Sequence, residues 1–246
     1  MKILVCISKA PDTTAKIAFT NNNTEFDTNG VQFIVNPYDE WYALVRGLEL
    51  KEQHGGSVTV LNVGAADNDP IIRKALAIGA DEAVRIDVNP TDALQAAKEI
   101  STYAKEQGYD LVLLGKETID YNGSQIGAMV AELMDLPYVS LATKLDMNGT
   151  TATVSRDIQG GTEVVELSTP AVISAAKGMA EARIPNMRGI MAARTKPLNV
   201  VAASGASTAT TISSYELPPA KGDCHYIDAD NVGELIELLH NEAKVI

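Results

Sequence analysis

Apolar and polar residues follow one another along the chain in a repeated order. Short apolar runs at 3–7, 57–62 and 111–114 predict strands that are buried on both faces. Each run is followed by a polar or glycine-containing loop, and then by a longer segment in which apolar residues recur at helical spacing. These repeated strand-loop-helix units predict an α/β fold of the Rossmann-like, adenine-nucleotide-binding kind: a doubly wound, mostly parallel sheet with helices on both faces.

The predicted helices have recognisable starts. Asn36 is a candidate N-cap for a helix that runs to about residue 53, and further helices are predicted over 69–79 and 91–107. Ser124 is a candidate N-cap for a fourth helix, which follows the apolar run at 111–114 after a polar loop.

The pattern changes after Pro137, where strand signals outnumber helix signals. Four strand-like segments separated by turn residues predict antiparallel additions to the sheet, at 139–145, 151–158, 162–167 and 171–175. An asparagine-rich stretch within 16–34 predicts a small hairpin, and 184–193 predicts one further helix.

The last part of the chain has a different composition. Residues 202–211 are small and polar, which is typical of a linker or an extended arm, and an amphipathic helix is predicted over 230–244. We therefore divide the chain into a nucleotide-binding domain at 1–200 and an extended C-terminal arm at 201–246. Because a helix beyond a linker must bury its apolar face, the arm is expected to pack on another subunit.

Charge and composition restrict the classes of partner. The chain has 20 basic and 32 acidic residues and a formal net charge of -12, which argues against nucleic acid and against anionic membranes. The first apolar run is too short for a signal peptide or a membrane span, so no direct membrane insertion and a cytoplasmic setting are expected. Cys6 and Cys224 form no CxxC pair, and no metal cluster, catalytic base or nucleophile constellation is found.

The stretch from Asp110 to Leu133 is the main candidate for ligand binding. A strand, a glycine-punctuated loop and a helix place unpaired N–H groups at the carboxyl edge of a parallel sheet, where anions bind. The spacing is neither GxGxxG nor GxxxxGK[ST]. From the residues alone, a nucleotide site and an ordinary strand-to-helix connection both remain open.

Several motifs in a fixed order resemble the beta subunits of electron transfer flavoproteins. They are Lys9 and Asp12 after the first strand, Asn36-Pro37 before a helix, LVLLGKETID at 111–120 with Gln125 following, and a long later signature that includes VSRDIQGGTE at 154–163 and IMAAR at 190–194. The resemblance extends over nearly the whole chain.

The resemblance implies a heterodimer that carries electrons and has no substrate turnover of its own. In that family an alpha subunit holds most of the FAD, while the beta subunit supplies one wall of the FAD site and contains AMP. The flavin takes electrons from acyl-CoA or other dehydrogenases and passes them toward a membrane-bound quinone reductase. The polypeptide orients the cofactor and tunes it.

The resemblance also implies roles for individual residues. The positions that match the AMP pocket are Cys6, Asn36, Val63, Asp120, Gly123, Ser124, Gln125 and Ile126. Tyr38 matches an aromatic position near the flavin, and Thr13 stands where some members carry a tyrosine. Met179, with Ala180 and Glu181, lies in the loop that docks dehydrogenases and takes the place of an exposed leucine. The residues around Met179 depart from the commoner pattern, so the identity of the dehydrogenase is not implied.

Two alternatives remain beside the AMP-containing carrier. Bifurcating members of the family hold a second FAD in the beta subunit, and their loop typically reads Gly-Asp-Thr-Ala-Gln-Val-Gly-Pro. Here the bulky Tyr121 and the absence of proline after Gly127 favour AMP. The alternative of another class is an ATP-binding signalling module of the universal-stress type, whose glycine-rich phosphate loop before a late strand is not found here.

Overall fold

A computed structural model of the chain describes residues 1–246. The strands are β1 (Lys2–Cys6), β2 (Lys9–Pro11), β3 (Phe19–Thr20), β4 (Glu25–Phe26), β5 (Phe33–Val35), β6 (Ser57–Val63), β7 (Glu82–Asp87), β8 (Leu111–Gly115), β9 (Tyr138–Asn148), β10 (Thr151–Ile158), β11 (Gly161–Ser168), β12 (Ala171–Ala175) and β13 (Leu198–Ala202). The α-helices are α1 (Asp39–His54), α2 (Asp69–Ile78), α3 (Ala93–Gln107), α4 (Ile126–Met134), α5 (Met187–Ala193) and α6 (Val232–Glu237).

Nine of the strands form one sheet in the order β11-β10-β9-β12-β8-β1-β6-β7-β13. The pairs from β9 to β13 in this order are all parallel, with β1 at the centre between β8 and β6. The central strands are buried on both faces because helices cover both, as the near-continuous apolar runs predict.

The helices lie on opposite faces of this sheet. Leu44 of α1 and Ile72 of α2 belong to one buried cluster, whereas Ile100 of α3 and Val130 of α4 belong to a second one. The crossover helices α1 and α2 therefore cover one face of the sheet. After β7 the chain returns to place β8 beside β1, and α3 and α4 cover the other face. The predicted doubly wound, mostly parallel α/β fold is confirmed.

The later strands extend the sheet in two ways. β9, β10 and β11 form an antiparallel meander, as predicted. The segment predicted as a further antiparallel addition, β12, instead lies between β8 and β9 and is parallel to both. Every residue of β12 is buried, and burial on both faces suits a central parallel strand better than an antiparallel edge.

The predicted hairpin is present beside the main sheet. β3 and β4 pair antiparallel across a turn in which Asn21, Asn22 and Asn23 all have positive φ, a conformation that asparagine tolerates better than most residues. β2 and β5 form a second small antiparallel pair, which leads the chain into α1.

The C-terminal part differs from the sequence expectation in two respects. β13 pairs with β7 as a parallel edge strand, so the predicted boundary at residue 200 falls inside a strand. The terminal helix begins at Val232 and continues as one π-helical turn over Leu238–Glu242, shorter than the predicted 230–244, and buries no residue.

The helix predicted over 184–193 begins later, at Met187. Asn186 caps it by accepting a hydrogen bond of 2.8 Å from the Gly189 amide, and the proline at 185 keeps the preceding chain extended. No helix in the chain combines the length and the apolar character needed to cross a membrane.

Candidate functional site

The candidate site lies at the carboxyl edge of the sheet, where the crossovers change direction. β1 has β6 on one side and β8 on the other, so the chain leaves β1 and β8 toward opposite faces of the sheet. Such a switch point opens a crevice that binds ligands in open α/β sheets. The sequence-predicted AMP residues belong to segments that begin at the ends of β1, β6 and β8.

Asn36 fastens the loop that follows β8. Its side-chain Nδ2 donates to the Glu117 carbonyl at 3.1 Å, and its Oδ1 accepts from the Ile119 amide at 3.0 Å. The Asn36 side chain is fully buried, and both bonds are partly shielded from water. The prediction that Asn36 caps α1 is wrong: the helix starts at Asp39, and the amide group of Asn36 is already engaged by the loop.

Ser124 is also placed differently from the prediction. It has φ of 49°, and its hydroxyl donates to Glu117 Oε2 at 2.8 Å, so it does not cap α4. Gln125 occupies the residue before the helix and makes no side-chain cap. Lys116 forms an ion pair with the other Glu117 oxygen at 2.9 Å, and these two partners lower the pKa of Glu117.

The loop and the first turn of α4 present a row of free backbone donors. The Asn122 amide donates to the Thr118 carbonyl, but the amides of residues 123–128 have no acceptor within the chain. The side chains of residues 120–125 are exposed, so this segment is open to a ligand. Free amides at a helix N-terminus bind phosphate and carboxylate groups.

Three of the predicted AMP residues line one apolar cluster beneath this loop. Cys6 is buried, and Val63 and Ile126 pack against the same cluster at the ends of β1, β6 and the start of α4. Burial, with the nearby Glu40 carboxyl, raises the pKa of the Cys6 thiol, so the side chain is a neutral packing group. Asp120, Gly123 and Gln125 lie in the exposed loop above.

Glu40 was not singled out from the sequence, although it lies under the site. Its two carboxyl oxygens accept from the Ser8 amide at 2.7 Å and from the Ser8 hydroxyl at 2.8 Å. A Cβ on Gly115 would come within 2.7 Å of the Glu40 backbone nitrogen, so glycine permits the close approach of β8 to α1. Burial raises the pKa of Glu40 to about 8. In the sequence this residue has only the pattern of an acid in the first turn of a helix.

A cavity of about 590 Å³ opens beside the start of α1. It is lined by the loops after β5, β8 and β12 and by part of the antiparallel meander, with Tyr38, Asp39, Lys116 and Leu141 among its lining residues. Tyr38 is 57% exposed and has φ of 65°, an uncommon conformation for an aromatic residue that turns the chain into α1. Thr13 is exposed and lies outside this cavity, so the structure does not bring the two flavin candidates together there.

Charged residues of both signs line this cavity. Burial raises the pKa of Asp39 to about 6, while the Lys116 ammonium opposes that shift. Apolar Leu141 and the Tyr38 ring lie beside these charged groups, so the cavity can accept a planar apolar ring that also has polar edges.

The docking loop differs most from the expectation. Met179 is only 6% exposed and belongs to the buried core cluster, so the expectation of an exposed anchor at this position is wrong. The Met179 amide donates to the Ala176 carbonyl, and this turn directs the side chain inward. Ala180 is half-buried and Glu181 is exposed.

The exposed apolar residues of this region lie a few positions later. Ile184 is 89% exposed and Met187 is 74% exposed. Arg183 holds this part of the loop on α1, because its guanidinium contacts both Glu52 oxygens at 2.6 and 2.9 Å and its carbonyl accepts from the Trp41 indole at 3.2 Å. The sequence motif alone does not show which apolar side chains of this loop face the core and which face solvent.

Comparisons with known proteins bear on this arrangement. A sequence model described as the electron transfer flavoprotein domain matches residues 24–206. The chain is 35% identical to the electron transfer flavoprotein subunit beta of Bacillus subtilis over 100% of both chains, and 36% identical to that of Syntrophomonas wolfei over 100% of this chain and 98% of the relative. The human electron transfer flavoprotein subunit beta is 33% identical over 82% of this chain and 81% of its own length.

Proposed function

The chain belongs to the electron transfer flavoprotein family as a beta subunit, and we propose that it binds AMP, completes the FAD site of its alpha subunit and receives electrons from dehydrogenases. The observation that carries the nucleotide part is the row of free amides at residues 123–128, at the switch point of the sheet. The universal-stress-type alternative has no support once this family membership is established.

In this proposal the AMP phosphate binds the free amides at the start of α4, whose positive dipole end favours an anion. Cys6 and Val63 form apolar contacts for the adenosine at the ends of β1 and β6. Asn36 acts on the nucleotide indirectly, because its two hydrogen bonds hold the loop that presents the amides. Asp120, Gly123, Ser124, Gln125 and Ile126 line the same loop and the start of the helix.

The proposed wall of the FAD site is the cavity beside Tyr38. Its exposed ring and the adjoining Leu141 fit an isoalloxazine face, and Lys116 supplies a cation at the same surface. When bound, FAD supplies the capacity to accept and release electrons, while this chain orients it and excludes water from one side. Thr13 has no comparable support, since it lies outside the cavity.

We place dehydrogenase docking on the surface formed by Ile184 and Met187, which replaces the buried Met179 in that role. Ile184 lies on the loop fixed by Arg183 and Met187 begins α5, and two such large exposed apolar side chains suit an anchor that enters a partner's pocket. The proposed donors are acyl-CoA or other dehydrogenases, the proposed acceptor is a membrane quinone reductase, and the proposed setting is the cytoplasm.

Co-expression of the chain with its alpha subunit tests this function. The purified heterodimer is expected to contain flavin that is bleached when an acyl-CoA dehydrogenase and its substrate are added together, and not when either is omitted. The proposal fails if a flavin-containing heterodimer does not form, or if it forms and no dehydrogenase of this class reduces it.

A further inference from the structure

Residues 203–216, which we call the strap, cross the carboxyl edge of the sheet. The strap begins where β13 ends beside β7, and it ends at the hairpin that follows β1. The ends of β6 and β1 lie between these two points in the strand order. Ala203, at the start of the strap, packs against the same apolar cluster as Val63 and Ile126.

A buried carboxylate on α3 holds the first part of the strap. Glu99, which is buried, accepts from the Ser204 amide at 2.8 Å, from the Ser204 hydroxyl at 2.9 Å and from the Ala206 amide at 3.2 Å. These bonds satisfy a buried acid that has no role in the proposed FAD or docking surfaces.

Asp92 joins the start of α3 to the middle of the strap. Its Oδ1 caps the helix by accepting from the Gln95 amide at 2.7 Å, while its Oδ2 accepts from the Ala209 and Thr210 amides at 2.5 and 2.8 Å. These backbone hydrogen bonds lower the pKa of Asp92 to about 2. The attachment therefore uses an ionised carboxylate at any physiological pH.

An aromatic contact holds the far end of the strap. The Tyr215 ring stacks on Phe19 with a centroid distance of 4.8 Å and an interplanar angle of 9°, and the Tyr215 amide donates to the Asn23 carbonyl at 2.7 Å. Tyr121 is 68% exposed, and its phenol neighbours the Tyr215 hydroxyl; partial desolvation and this neighbour raise the pKa of Tyr121. Tyr215 thus links the hairpin to the loop that carries the free amides.

We propose that the strap covers the adenosine side of the nucleotide site at the ends of β6 and β1, so that bound AMP leaves the site slowly. This inference rests on the proposed AMP site. A ligand whose phosphate binds amides 123–128 meets the buried cluster around Cys6 on the inner side. The strap covers the ends of β6 and β1 beside that cluster, where Ala203 packs with Val63 and Ile126. Tyr215, which holds the far end of the strap, is a positioning residue that acts through it.

Exchange of bound AMP for labelled AMP in the purified heterodimer tests the inference. Tyr215→Ala is expected to exchange AMP about three- to tenfold faster than the wild type, the range expected from loss of one aromatic contact. The matched control is Tyr226→Ala, since Tyr226 is 87% exposed in the tail beyond the strap and should exchange at the wild-type rate.

A second variant leaves the aromatic stack intact. Asp92→Asn has a single side-chain oxygen, so it can cap α3 or hold the strap but cannot do both, and asparagine remains a good N-cap. AMP exchange should again be faster than in the wild type, with FAD content unchanged.

The outcomes separate the two proposals. AMP present in the wild type, but exchanged at the same rate in Tyr215→Ala, Asp92→Asn and Tyr226→Ala, overturns the strap inference and leaves the AMP site standing. A wild-type heterodimer that contains no AMP overturns the proposed nucleotide site and the strap inference with it.

Discussion

Asn36 Oδ1 accepts a hydrogen bond of 3.0 Å from the amide of Ile119, across 83 residues of sequence. The same side chain donates to the Glu117 carbonyl, so one buried amide group fixes two points of the loop after β8. The position of the free amides at the start of α4 depends on this loop. In the proposed function, Asn36 therefore supports the nucleotide site through this loop.

Substitution of Asn36 tests that dependence. Asn36→Leu has a similar volume but leaves the Ile119 amide and the Glu117 carbonyl without partners, which is expected to lower the free energy of unfolding by about 1–3 kcal/mol for each buried group. AMP content of the heterodimer should fall with it. Asn199→Ala, at an exposed position of β13, is the control and should change neither quantity. Full AMP content in Asn36→Leu would contradict the supporting role.

Glu40 predicts a pH dependence of stability. Because burial raises its pKa from 4.5 to about 8, the folded chain holds this proton more tightly than the unfolded chain. The free energy of unfolding should therefore fall as the pH rises from about 4.5 to about 8, with a slope of at most about 1.4 kcal/mol per pH unit from this group.

Glu40→Gln should remove that contribution, since glutamine keeps an acceptor for the Ser8 amide and does not ionise. Denaturant unfolding of the full chain between pH 5 and 9 measures the difference between the two proteins. The exposed Glu132→Gln on α4 is the control, expected to follow the wild type. Parallel curves for wild type and Glu40→Gln would show that Glu40 is ionised throughout.

Substitutions at Met179 and Ile184 should have opposite effects on stability and on electron transfer. Met179→Ala is expected to lower the free energy of unfolding by about 2–5 kcal/mol, because it leaves a cavity in the core. Ile184→Ser should leave stability within about 0.5 kcal/mol of the wild type. It should reduce kcat/KM for flavin reduction by the dehydrogenase at least about fivefold, as a docking anchor would.

The control for docking is Val164→Ser, at an exposed site on β11, which should affect neither property. If Ile184→Ser transfers electrons at the wild-type rate while Met179→Ala transfers slowly at full stability, the docking surface is placed wrongly.

Much of the fold follows from sequence because local patterns and tertiary packing agree in the parallel units. The central strands are apolar on both faces, and α2 ends at a glycine as expected. The differences arise where a distant partner decides the outcome. Asn36 and Ser124 are good N-caps in isolation, but each side chain has a partner in the loop after β8. β13 has the composition of an exposed edge, and only its pairing with β7 makes it a strand. The motif that contains Met179 does not predict that the chain turns there and directs the side chain into the core.

The exposed apolar residues of the terminal helix α6 predict that this helix binds the alpha subunit. Val232, Leu235 and Ile236 are exposed and bury nothing within this chain. A chain ending at Ile227 should therefore keep its own stability but bind the alpha subunit at least about tenfold more weakly, as loss of buried apolar area requires. The double variant Leu235→Ser/Ile236→Ser should weaken binding in the same direction. An unchanged dissociation constant for both would contradict the assignment of α6 to the alpha subunit.

The central claim is that this beta subunit contains AMP and shares one FAD. Denaturing the purified heterodimer and counting the released nucleotides by chromatography tests it most directly. The account predicts one FAD and one AMP for each heterodimer. Two FAD and no AMP would contradict it, because the site at the start of α4 would then hold a dinucleotide.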